Sequence, residues 1–165
     1  MPQVKYTTAK GLHQVSGKGV VGMRATVEVL TDAAGAGANR TALTADESGK
    51  IFLVPALTGG TQTIALPEAT ADTIGCKYTF ILTATAGQDF NVTGTAGNKI
   101  VGAVPKGDGD NNAISSGHDS IGFDENAVIG SRFTVTCVST TDAIAYHLSE
   151  VFDGLAANTG GLNLA

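Results

Sequence analysis

Tryptophan is absent from this chain, and only two cysteines and four prolines occur among 165 residues. Two cysteines cannot build the disulfide framework of a small secreted scaffold. A chain of this length needs no such staple, because it can bury a sizeable core unaided. Charged residues make up 15%, below the usual quarter, which excludes a highly charged disordered segment. No apolar run approaches the ~20 residues of a membrane span. No basic-then-apolar segment opens the chain, so neither a membrane partner nor export is expected. The net charge of −5 has the wrong sign for a general nucleic-acid binder. What is abundant is glycine, at 22 residues, and threonine, at 21. Both are poor in helix interiors and suit turns and strands, so the composition predicts one β-rich domain.

Charge is uneven along the chain. Residues 1–27 carry Lys5, Lys10, Lys18 and Arg24 and no acidic residue, whereas six basic and fifteen acidic residues follow, a balance of −9. Residues 1–19 show no sustained periodicity and read as an extended N-terminal arm. A terminal segment of that kind ordinarily frays. Its sign suits it instead to lie on an acidic neighbour, with Lys5, Lys10, Lys18 and Arg24 as the docking residues. Residues 20–153 read as the β domain and 154–165 as a flexible C-terminal tail of small residues.

Within the domain, strands are expected over residues 20–30, 50–54, 62–66, 76–86, 90–93, 98–103, 127–139 and 143–151. Pro55 and Pro67 stand where strands should stop, since proline cannot donate to a ladder. Residues 31–39 and the polar stretch 107–117 read as loops, and Asp46-Glu47-Ser48-Gly49 as a turn. Helical spacing of Ile144, Leu148, Val151, Phe152 and Leu155 competes with a strand in the last run. A repeat decides for the strand. Ile74-Gly75-Cys76-Lys77-Tyr78-Thr79-Phe80 returns 55 residues later as Ile129-Gly130-Ser131-Arg132-Phe133-Thr134-Val135. Each copy is followed by a polar turn and a second short β run, so the chain is expected to hold one β-hairpin twice. Two matching hairpins fit the halves of an antiparallel β-sandwich or a jelly-roll-like barrel.

Alternation places Cys76, Tyr78, Phe80 and Leu82 on one side of their strand, and Phe133, Val135 and Cys137 on one side of theirs. These seven are the expected core, with both cysteines as buried free thiols. A disulfide between them would require neighbouring strands and an oxidising compartment.

The sequence offers no convergent chemistry. Ser115, His118 and Asp119 have the residue types of a triad but are nearly consecutive, whereas triads assemble from distant segments. His13, His118 and His147 lie far apart, and no Cys or His stands at zinc-ligand spacing; His147 is expected to face solvent. Asp108, Asp110, Asn112 and Asp119 approach the oxygen spacing of a calcium loop. Ala113 replaces the glycine of that loop, Asp119 its final glutamate, and no helices flank it, which favours a plain surface loop. Asp46-Glu47 and Asp124-Glu125 precede strands and read as turn residues, not as a paired catalytic site. No catalytic residue, cofactor or metal is expected.

Thr41-Ala42-Leu43-Thr44-Ala45-Asp46-Glu47-Ser48-Gly49-Lys50-Ile51-Phe52-Leu53-Val54, continued by Thr63-Ile64-Ala65-Leu66-Pro67, resembles a turn-and-strand pattern of tailed-bacteriophage virion proteins. The later runs 75–93 and 130–150 resemble the same family, with Tyr146 where that family often has tryptophan. The resemblance covers roughly residues 41–151. It implies an all-β sandwich that coats a particle, frequently as a trimer, and it brings no catalytic residues. On this resemblance the chain is expected to be a head decoration, or cement, protein on the outer surface of a capsid. Its partners would be the major capsid protein and further copies of itself. The alternative is a tail-fibre or receptor-binding module that recognises a host glycan, but fibre-like triplet repeats and an aromatic platform are missing.

Overall fold

The computed structural model describes residues 3–7, 11–16, 25–32, 40–105, 111–152 and 162–164. Thirteen strands lie among them: β1 Gln3–Thr7, β2 Gly11–Ser16, β3 Val27–Val29, β4 Ile51–Val54, β5 Gln62–Ala65, β6 Lys77–Leu82, β7 Phe90–Thr93, β8 Ile100–Pro105, β9 Asn111–His118, β10 Ser120–Phe123, β11 Arg132–Cys137, β12 Tyr146–Phe152 and β13 Leu162–Leu164. Short 3-10 turns at Ala45–Glu47 and Asp142–Ile144 are the only helical pieces among the described residues. The β-rich class expected from glycine and threonine is the class observed.

The strands form a seven-stranded sheet in the order β3-β4-β6-β11-β12-β8-β9, a four-stranded sheet in the order β13-β10-β7-β5, and a separate β1-β2 pair. The alternating apolar positions of the two larger sheets supply the core. In β6 the burial alternates strictly, with Tyr78, Phe80 and Leu82 inside. Five phenylalanines connect the sheets: Phe80 stands 5.6 Å from Phe90, and Phe123 stands 5.0 Å from Phe133, centroid to centroid. Phe52, Phe80 and Phe133 belong to the larger sheet and Phe90 and Phe123 to the smaller one, so these rings are where the two meet.

Pairing departs from the antiparallel expectation. β3/β4, β4/β6, β5/β7 and β8/β12 are parallel. The cause is the path of the chain. It leaves the larger sheet after β4 for β5 in the smaller one and returns as β6, then repeats the excursion with β7. Each return restores the original direction, so β4 and β6 run parallel, and so do β5 and β7.

The repeat is real as a strand but not as a hairpin. β11 and β12 are neighbours, whereas β6 lies in the larger sheet and β7 in the smaller. The two copies instead pair with each other. Thr79 stands opposite Thr134, Phe80 opposite Phe133 and Tyr78 opposite Val135. Thr79 and Thr134 are repeat equivalents, so a local two-fold axis passes between them, and their hydroxyls meet at 2.9 Å. The hydrogen bonds obey the same symmetry. Gly75 N donates to Cys137 O at 2.8 Å and Gly130 N to Leu82 O at 2.9 Å; Cys137 N donates to Cys76 O at 2.9 Å and Leu82 N to Ser131 O at 2.8 Å. Each strand is entered by the same turn, closed by Cys76 N to Thr73 O at 3.0 Å and Ser131 N to Val128 O at 3.2 Å. The third residue of each turn is glycine, with φ of 88° at Gly75 and 94° at Gly130. That is the signature of a type II turn, which needs a left-handed residue there.

Three further expectations are corrected. Residues 1–19 were expected to lack strands, yet β1 and β2 pair antiparallel, with Tyr6 opposite Leu12 and Lys5 opposite His13. Val4 and Tyr6 alternating with polar residues give just enough period-two pattern for a short ribbon. Residues 107–117 were expected to be a loop, but β9 occupies Asn111–His118 and pairs with β8, so cross-strand pairing overrides the low β propensity of Asn, Ser and Gly. The C-terminal tail contains β13, which adds to β10 with Ile121 opposite Leu164.

Candidate interaction surface

The larger sheet buries one face and leaves the other outward. Register sets the outward rows. One row runs Val27, Ile51, Thr79, Thr134, Ser149; the next runs Val29, Leu53, Ile81, Arg132, Phe152. At the β3 end both rows are apolar, and Val27 and Val29 are 54% and 65% exposed. Among the described residues β3 is also the end of the sheet order. An exposed apolar edge strand is a site that other chains pair with unless it is guarded.

The centre of this face is polar and fixed. Between Thr134↔Ser149 and Arg132↔Phe152 the β11/β12 register shifts, which marks a bulge in β12. Glu150 occupies it with φ of 52°, a left-handed conformation usually left to glycine in such bulges. The bulge aims the Glu150 carboxylate at Thr134 Oγ1, which donates to it at 2.9 Å, and at Lys77 Nζ, at 3.1 Å. The Thr134 hydroxyl and the Lys77 ammonium hold that carboxyl below its ordinary range. Bulges of this kind re-aim a side chain and cluster at functional positions.

Behind the β3 edge, on the side facing Phe52, four charges close on one another. Arg40 binds Glu28 at 2.5 Å and also Glu47; Lys50 binds Glu28 at 3.0 Å and Glu47 at 2.8 Å. The Arg40 guanidinium stands 5.3 Å over the Phe52 ring. Burial alone would raise the Glu47 carboxyl, but hydrogen bonds from Lys50, Arg40 and the Thr44 N–H override it and hold it at about 2. The network is neutral and ties residues 40–50 to β3. Among the described residues it leaves the outward rows as the open part of this edge. The edge of the smaller sheet is treated differently, since Leu43 N donates to Ala65 O and Ala65 N to Thr41 O, which covers β5.

The residues singled out from sequence fall in several places. Cys76, Tyr78, Phe80, Leu82, Phe133, Val135 and Cys137 are buried, and both cysteines are free. Burial pushes the Tyr78 and Tyr146 phenols up, and they donate to Thr44 O at 2.9 Å and Pro67 O at 2.6 Å. His147 is exposed on β12. Of the docking residues, Lys5 lies on β1, and Lys10, Lys18 and Arg24 lie outside the described residues. Asp108 and Asp110 also lie outside them, Asn112 sits on β9 opposite Val104, and the Asp119 carboxylate pairs with Lys99. Among the described residues no group of three His, Cys, Asp or Glu side chains could hold a metal ion. Sequence reading missed the Glu150 bulge, for which a non-glycine residue gives no signal. It also missed the Arg40 network, of which only the Glu47–Lys50 spacing was visible.

No protein-family model matches the chain, and no curated protein matches it.

Proposed function

We propose that this chain is a structural virion protein that decorates a phage capsid and stabilises it by binding the outer shell surface as a trimer. The observation that carries the reading is the outward face of the larger sheet. It combines apolar rows at an open edge strand with a polar centre set by a bulge, which is the make-up of a docking surface and not of a cleft for chemistry. The stretch 41–67 that carries the phage resemblance supports it. There Glu47, Lys50 and the Thr41–Leu43 bridge to β5 knit the turn-and-strand pattern into one local unit. In this reading the two larger sheets form a sandwich and the basic N-terminal segment reaches the acidic surface of a neighbour. The partners are the major capsid protein and further copies of the chain, with no cofactor. Stabilisation follows from mass action: a protein that binds only the assembled shell resists its opening.

Quantitative mass spectrometry of purified particles tests the proposal. A copy number equal to that of the major shell protein, or a simple fraction of it, is expected. A handful of copies refutes shell decoration and favours the tail-fibre or receptor-binding alternative. Deleting residues 1–19 is expected to leave the β domain folded and abolish attachment; unchanged attachment refutes the docking role of that segment.

A further inference from the structure

Cys76 and Cys137 face each other. The β6/β11 register ends with Lys77 opposite Thr136, so the next pair is Cys76 with Cys137, and Cys137 N donates to Cys76 O at 2.9 Å. Cys76 and Cys137 share one of the two bonds of a hydrogen-bonded pair, because Cys76 N closes the preceding turn on Thr73 O; in a full pair of that kind the Cα atoms stand about 5.5 Å apart. That lies inside the roughly 4.4–6.8 Å window of a disulfide. Both side chains point to the same buried side, at 8% and 1% exposure. The local two-fold supplies a comparison, because the symmetry-related pair at the other end of the ribbon is Leu82 with Ser131. The backbone geometry therefore does not call for cysteine, and the two cysteines occupy one end of it together.

We infer that Cys76 and Cys137 are a disulfide-forming pair that locks the two repeat strands to each other under oxidising conditions. In the reduced chain each sulfur has its own partners: Cys76 Sγ donates to Ala45 O at 3.8 Å, and Cys137 Sγ donates to Ser139 O at 4.0 Å and lies 3.8 Å from Thr73 Oγ1. Rotation about each Cα–Cβ bond turns them towards each other. The oxidant is a small-molecule disulfide. The Cys76 thiolate, on the more exposed residue, attacks it, forms a mixed disulfide and expels one small thiolate. The Cys137 thiolate then attacks Cys76 Sγ and expels the second. The two cysteine protons end on the two released thiols, the protein loses two electrons, and the small disulfide gains them. The bond itself does not depend on the virion proposal. Its setting does, since a chain on a released particle leaves the reducing cytosol.

The test uses the purified full-length chain and oxidised glutathione, both on the native protein and during refolding from denaturant. The expected product has lost two hydrogens and carries no glutathione, and a Cys76–Cys137 crosslinked peptide appears in a non-reduced digest. Its thermal midpoint rises by about 5–15 °C, because a long loop of the unfolded chain is now closed, and falls back with reductant. Cys137→Ser is expected to retain glutathione on Cys76. Cys76→Ala, which leaves a small apolar side chain in the core, is expected to form no internal bond. Glutathione held separately on both cysteines after refolding, or two free thiols after refolding in the redox buffer, overturns the inference. Both readouts concern the bond alone and leave the virion proposal untouched.

Discussion

Truncating Phe80 should be among the most damaging single changes to this fold. Its side chain is fully buried, and its ring stands 5.3 Å from Phe52, 5.1 Å from Phe133 and 5.6 Å from Phe90. Two of those rings belong to its own sheet and the third to the other. Phe80→Ala removes the transfer free energy of a buried ring and leaves a cavity, a loss of about 3–5 kcal/mol. Three ring contacts, each contributing about 0.5–1.5 kcal/mol beyond area, put the expectation near the top of that range. With a urea dependence of about 2 kcal/mol per molar, the unfolding midpoint should fall by about 2 M. Urea titration followed by circular dichroism reads it directly. Val29→Ala, at an exposed outward position, should change stability by no more than about 0.5 kcal/mol. A double-mutant cycle with Phe90→Ala should show coupling of about 0.5 kcal/mol or more, since residues in contact rarely add. A Phe80→Ala loss below about 2 kcal/mol, or zero coupling to Phe90, would refute the claim that these rings join the two sheets.

The duplicated turns make a matched pair of predictions. No atom lies within 4 Å of where a Cβ would stand at Gly75 or Gly130, so alanine at either position costs only the left-handed backbone, about 1–2 kcal/mol. Equal losses are expected in urea titrations, and losses differing by more than that cost would contradict the equivalence of the turns. The Arg40–Glu47–Lys50 network predicts a pH dependence. The folded Glu47 carboxyl sits at about 2 against an ordinary 4.5; a depressed carboxyl stabilises the fold above its ordinary value and loses that contribution as pH falls towards the folded one. Thermal midpoints should therefore drop between pH 4.5 and about 2, and Glu47→Gln should flatten that part of the profile; an unchanged profile would argue against the network.

Residue type and alternation made the class and much of the core legible. Tyr78, Phe80, Phe133 and Val135 could be placed inside from period two alone, because a strand has only two sides. Sheet membership was not legible. Residues 76–93 look like a hairpin as much as residues 130–150 do, and nothing local says that the chain crosses to the other sheet after Leu82. Parallel pairing follows from those crossings and was hidden with them. β9 was hidden for another reason: Asn111 to His118 has loop composition, and only the ladder with β8 makes it a strand. The outward face was half visible. Its apolar residues could be read as one side of β4, but the exposure of Val27 and Val29 depends on β3 ending the sheet order. The Glu150 bulge depends on the count of residues against β11, which no single-strand reading contains.

The local two-fold explains why that bulge matters. An antiparallel ladder is symmetric about an axis between strands, so two copies of one strand sequence can pair with themselves in a register that repeats every contact. Thr79 and Thr134 sit on the axis, and the turns at Gly75 and Gly130 close the two ends alike. The backbone of such a ribbon has no preferred end. β12 breaks the symmetry. It lies beside β11, whereas β4 lies beside β6, and it places Glu150 over Thr134 while Ile51 lies beside Thr79. A left-handed glutamate costs backbone energy, and here it accompanies a carboxylate aimed at the axis, on Thr134 Oγ1. The asymmetry gives the outward face a polar centre and an apolar flank. The polar centre of that face comes from β12, through Glu150, and its apolar flank from β3 and β4.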